Sequence, residues 1–87
     1  MPAQQVLDRE TQRLRWQCRR GMLELDLLLN GFLDVAYGDL DEQQRVDFVR
    51  LLSYQDQIIH DWLMGQAVPA DAALRDLVVR IRSAMQP

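Results

Sequence analysis

The side chains in this sequence able to do nucleophilic or acid–base chemistry near neutral pH are few: one cysteine, Cys18, and one histidine, His60. A thiol–imidazole pair would need the two to meet. Cys18, however, falls on the apolar stripe of the first predicted helix, where a free cysteine behaves as a small hydrophobe. His60 lies between Ile59 and Asp61 and reads as a surface imidazole. No paired Cys or His spacing suits a metal, and three glutamates with scattered aspartates do not make a carboxylate cage. The four glycines stand apart from one another, so neither a phosphate-cradling loop nor a dinucleotide fingerprint is present. The chain is therefore expected not to be an enzyme.

Two other groupings could carry binding. Arg9, Arg13, Trp16 and Arg20 share the outer stripe of the first helix, and arginines interleaved with an aromatic ring can grip phosphates and stack bases. With so few residues the stripe reads instead as a solvated basic face with arginine stems over Trp16, and nucleic acid is not an expected partner. The second grouping is Arg19-Arg20-Gly21 followed by Glu24 and Asp26. In one continuous helix Arg20 and Glu24 would form a cation-first i,i+4 pair, the weaker orientation, and Gly21 would be a cost. If the helix ends at Arg20, the two arginines face its negative C-terminus and Gly21 takes a left-handed turn. Glu24 and Asp26 then sit near the positive first turn of the next helix. All the charges agree with the break, and Arg20 and Glu24 are expected at exposed positions whose alanine variants keep the fold.

The elements that position this corner read as helices throughout, because no stretch alternates apolar and polar residues long enough for a half-buried strand. A first helix from about Ala3 to Arg20 places Leu7, Thr11, Leu14 and Cys18 on its inward stripe. A second carries Met22, Leu25, Leu28, Leu29, Phe32, Leu33 and Ala36 and ends at Gly38 as a C′ glycine. Gly31 within it implies a bend or the close passage of another backbone. Asp41 and Gln44 form a capping box for a third helix with Phe48, Val49 and Leu52 inward, running to about Tyr54. Asp56 is the predicted cap of a short fourth helix with Ile58, Ile59, Trp62 and Leu63, closing near Gly65. Asp71 caps a fifth with Leu74, Leu77, Val78, Ile81 and Met85 on its buried stripe. The fold class is all-α, a five-helix bundle in a single domain spanning 1–87.

Composition agrees. Ten arginines without a lysine, against ten aspartates and three glutamates, give a net charge of −3, which argues against a general polyanion binder. The charge is unevenly placed: residues 1–20 carry +3 and the remainder −6. That basic start contains Asp8 and Glu10 and no serine, unlike a transit peptide. No apolar run approaches the roughly 20 residues needed to cross a bilayer, so membrane insertion is not expected. A lone cysteine in a chain without staples points to a cytoplasmic location.

The segment Trp16-Gln-Cys-Arg-Arg-Gly-Met-Leu-Glu-Leu-Asp26, with its Arg20-Gly21-x-x-Glu24 core, resembles the SdhE-type succinate dehydrogenase assembly factors, or flavinators. Further matches follow at Phe48-Val-Arg-Leu-Leu52, at Asp56 before Trp62-Leu-Met64, and at Pro69-Ala-Asp71, so the resemblance covers roughly residues 13 to 82. It implies a small helical protein that binds the flavoprotein subunit of succinate dehydrogenase, and of bacterial fumarate reductase, and promotes covalent attachment of FAD. The flavin 8α carbon becomes bonded to a histidine of the client, so FAD is the client's cofactor and none is held stably here. By the same resemblance Arg20, Gly21 and Glu24 occupy the functional motif and belong at the client interface, with Arg19, Trp16 and Asp26 flanking it. Phe48, Trp62 and Asp71 read as fold residues, a core pair and a cap. A different class of reading is a helical adaptor or antitoxin-like module unrelated to flavin.

Overall fold

Leucine-rich stripes recurring at three and four residues must be covered by neighbouring helices, and the arrangement that does so is an all-helical bundle. A computed structural model describes residues 3–85, with side chains from residue 9 onward. It contains α1 (Ala3–Gln17), α2 (Leu23–Val35), a 3₁₀ turn (Tyr37–Asp39), α3 (Glu42–Leu52), α4 (Asp56–Leu63) and α5 (Ala72–Met85). The all-α, five-helix expectation holds. The side chain of Leu7, assigned to the inward stripe of α1, lies outside those described.

α2 is the apolar centrepiece: Leu25, Leu29 and Phe32 are fully buried and Leu33 nearly so. It packs on α5, which in turn lies against α3 and α4, while α1 rests on α2. Phe48 of α3 sits 5.6 Å from Phe32 and 5.5 Å edge-on to Tyr37, within the range where aromatic pairs add to plain burial. Trp62 pairs with Tyr54 at 4.9 Å. The two predicted core aromatics are thus both buried, each against a different ring. Tyr37 donates its hydroxyl to Glu10 at 2.9 Å, which fastens α1 to the far end of α2.

Several boundaries differ from expectation. α1 stops at Gln17 rather than Arg20. Gly38 is not a left-handed C′ residue: α2 closes at Ala36, and Gly38 lies inside the 3₁₀ turn that swings Tyr37 and Leu40 into the core. On α3 the buried flank beside Phe48 and Leu52 is Leu51, leaving Val49 exposed. On α4 Ile58 faces outward, and Asp56 is the first helical residue rather than the cap, a position taken by Gln55 without a side-chain bond. α2 runs unbroken through Gly31. There the close approach comes from a side chain, with the Met85 Sδ 3.3 Å from where a Cβ would stand.

The capping box is present as read, with Gln44 N–H donating to Asp41 at 2.7 Å and Gln44 returning to the Asp41 N–H at 3.0 Å. Asp71 accepts from Leu74 N–H at 3.1 Å and also receives Arg50 of α3 in two bonds, at 2.9 and 3.3 Å. The guanidinium first, and the helix N–H second, hold this carboxyl at about 2, below its ordinary 3.8. The unfolded chain therefore binds the proton more tightly, so the contribution is full above the ordinary value and is lost as pH falls toward 2. Asp71→Asn, which keeps a capping oxygen but loses the charge, is expected to show a smaller fall in denaturation midpoint between pH 5 and pH 2 than the parent. Equal falls would show that Asp71 does not contribute to acid sensitivity.

Candidate functional site

The last α1 bonds are Cys18 N–H to Leu14 O, 2.9 Å, and Arg19 N–H to Trp16 O, 3.1 Å. The chain then reverses. Gly21 takes φ +85°, a conformation L side chains disfavour, and α2 opens after an extended Met22 that has no side-chain cap. The turn itself is pinned back onto the helix: Asp26, in the first turn of α2, accepts the Arg20 backbone N–H at 2.7 Å. Glu24 and Asp26 both lie where the helix dipole favours negative charge.

Arg20 is not the exposed cation expected, because its side chain is only 16% accessible. Nε donates to Asp56 Oδ1 at 2.7 Å, Nη2 to the Tyr54 carbonyl at 3.0 Å and Nη1 to the Gln17 carbonyl at 2.9 Å. One guanidinium therefore satisfies a terminal carbonyl of α1 and ties the α1–α2 corner to the α3–α4 turn. This is the fork geometry that lysine cannot reproduce. It also leaves the outer stripe of α1, where Trp16 stands 72% exposed. The Arg19 guanidinium sits 5.3 Å over the Trp16 ring, and these two with Gln12 and Arg15 line a surface cavity of about 280 Å³. Arg15 reaches α2 through Asp34 at 2.6 Å.

Glu24 projects to solvent, its side chain 69% accessible, with Oε2 3.1 Å from His60 Nε2. His60 is thus not a free surface imidazole: it is largely covered and reaches the motif glutamate from α4. Cys18 is fully buried, and desolvation first of all pushes its thiol up to about 12, which disfavours the nucleophilic thiolate. Among the described residues no group of three or more His, Cys, Asp or Glu is placed to hold a metal, and no helix is long and apolar enough to cross a membrane.

The structure therefore places Arg20, Gly21, Asp26 and Glu24 at one corner, where Arg20 is bonded to Asp26 and Glu24 reaches His60, with Trp16 and Arg19 forming a separate cation–aromatic pair beside it. Sequence reasoning missed two members. Asp56 was legible only as a helix cap, since the same residue type serves both roles. His60 carried no local signal toward Glu24, 36 positions away.

The family model described as flavinator of succinate dehydrogenase matches residues 12–85. The chain belongs to that flavinator family. Among similar proteins is an FAD assembly factor of Shewanella oneidensis, 45% identical over 86% of this chain and 92% of its own length. A second, from Pseudomonas aeruginosa, is 44% identical over 90% of this chain and 93% of its own. A more distant one from Coxiella burnetii is 35% identical, covering 83% and 88% respectively. The flavinator match runs from the middle of α1 to the end of α5 and so contains the whole corner.

Proposed function

We propose that this chain is an assembly factor that binds the flavoprotein subunit of succinate dehydrogenase, and of fumarate reductase, in the cytoplasm and promotes covalent attachment of FAD to that client. The observation that carries the reading is the flavinator match across residues 12–85, which includes a corner rigidly bonded from behind and open at Glu24. On this reading the helper supplies no catalytic group and holds no flavin stably. Its role is to keep the client in a geometry where flavin and histidine meet, and orientation alone can contribute many powers of ten to rate. The exposed Trp16–Arg19 pair flanks the contact, as tryptophan and arginine are enriched at binding hot spots.

Incubating apo-flavoprotein and FAD with and without the protein, and following flavin fluorescence on a denaturing gel, tests the proposal. Covalent flavin should form faster with the protein present; equal yields at all times would sink it. Glu24→Ala should slow the reaction about tenfold or more at limiting protein, as loss of a hot-spot side chain does. Its thermal midpoint should stay within about 3 °C of the parent, because an exposed substitution changes stability little.

A further inference from the structure

We propose that His60 is a positioning residue for client recognition, its Nε2–H holding the Glu24 carboxylate in the orientation presented to the partner. The role rests on the functional reading above, in which Glu24 contacts the client.

A carboxylate only accepts, so the imidazole nitrogen 3.1 Å from Glu24 Oε2 is the one that carries a proton. The other nitrogen is the unusual one. His60 Nδ1 is buried and has no hydrogen-bond partner among the described residues, the Asp61 carboxylate oxygen being 3.9 Å away. A buried polar atom without a partner is a cost to folding, and such atoms in native proteins call for an explanation. An apolar ring at this position would avoid the cost, yet would leave Glu24 without its donor. Glutamate is among the side chains with most rotamer freedom to lose on being fixed. Holding it in place before docking removes part of that loss from the binding step. A fold cost at Nδ1 and a binding gain at Nε2 are thus two ends of one ring.

The arrangement makes stability and recognition move in opposite directions. His60→Phe should keep or raise the thermal midpoint while weakening affinity for the apo-flavoprotein about three- to tenfold, the range expected for one immobilised flexible side chain. His60→Gln can place its amide Nε2 near the imidazole Nε2 and donate to Glu24, so affinity should be retained. His60→Asn carries its amide at the level of Nδ1 and should not rescue. In a Glu24→Ala background, His60→Phe should cause no further loss. In the free protein the His60 imidazole ¹⁵N shifts should move on Glu24→Ala, reporting the pair without any client. Unmoved shifts, equal affinities of parent and His60→Phe, or an additive loss in the Glu24→Ala background would each overturn the positioning role alone. A parent protein that does not bind the flavoprotein would overturn the functional reading, and the positioning role with it.

Discussion

Arg20→Ala is expected to lower the free energy of unfolding by about 2 kcal/mol, the effect of removing hydrogen bonds to a charged group. In a domain of this size that is a fall of about 10 °C in thermal midpoint. The guanidinium makes three separate contacts from a largely covered position, to Asp56, Tyr54 and Gln17. Its removal leaves the Asp56 carboxylate and two carbonyls short of a donor, so the penalty exceeds that of an exposed ion pair. Since the corner behind Glu24 loosens, covalent flavin formation should fall further than with Glu24→Ala. Arg20→Lys, able to satisfy only one acceptor well, should lose about half as much stability. Circular dichroism melts of the three proteins provide the check. An Arg20→Ala midpoint within about 2 °C of the parent, beside a retained loss of client flavinylation, would show a pure contact residue and no clasp.

Gly21→Val carries the second large effect, about 2–3 kcal/mol, because a β-branched residue is forced into the left-handed region at φ +85°. Beyond residues 20–22 no heavy atom lies within 4 Å of the position a Cβ would take, so the cost of a Cβ there is backbone conformation rather than collision with the rest of the fold. That separates the substitutions by type. Gly21→Asn should be mildest, since asparagine tolerates this region, Gly21→Ala should cost about 1 kcal/mol, and valine most. Relieving the strain would move the Arg20 backbone N–H off Asp26, a 2.7 Å bond, so client binding should decline in the same order. Melting and pull-down of apo-flavoprotein across the series measure both. Identical midpoints for alanine and valine would refute the conformational argument.

Much of the fold was legible because its signals act within one helical turn. The Asp41–Gln44 box, the Asp71 cap and the turns at Gly21 and Gly65 are all as the residues imply. The errors share a cause. Val49 and Leu51 lie on opposite flanks of the Phe48–Leu52 stripe, and helical periodicity is symmetric about it. Which flank is covered depends on where α5 packs. At Gly38 a C-terminal glycine signal yielded to the burial of Tyr37 and Leu40 on either side.

Five helices, most of each buried stripe, a chain reversal at Gly21 and the resemblance carried by Arg20, Gly21 and Glu24 could all be read from residues a few positions apart. That the two charges of this segment have opposite fates emerges only from how the helices pack. Arg20 turns inward to Asp56 and Glu24 stays in water beside His60, and both pairings span 36 residues. Capping and periodicity operate over three or four residues, whereas these partners are brought within reach by the packing of α4 against α2. A motif can therefore name the residues of the corner. Which of them holds it together and which is left exposed to solvent follows from burial, and burial belongs to the whole bundle.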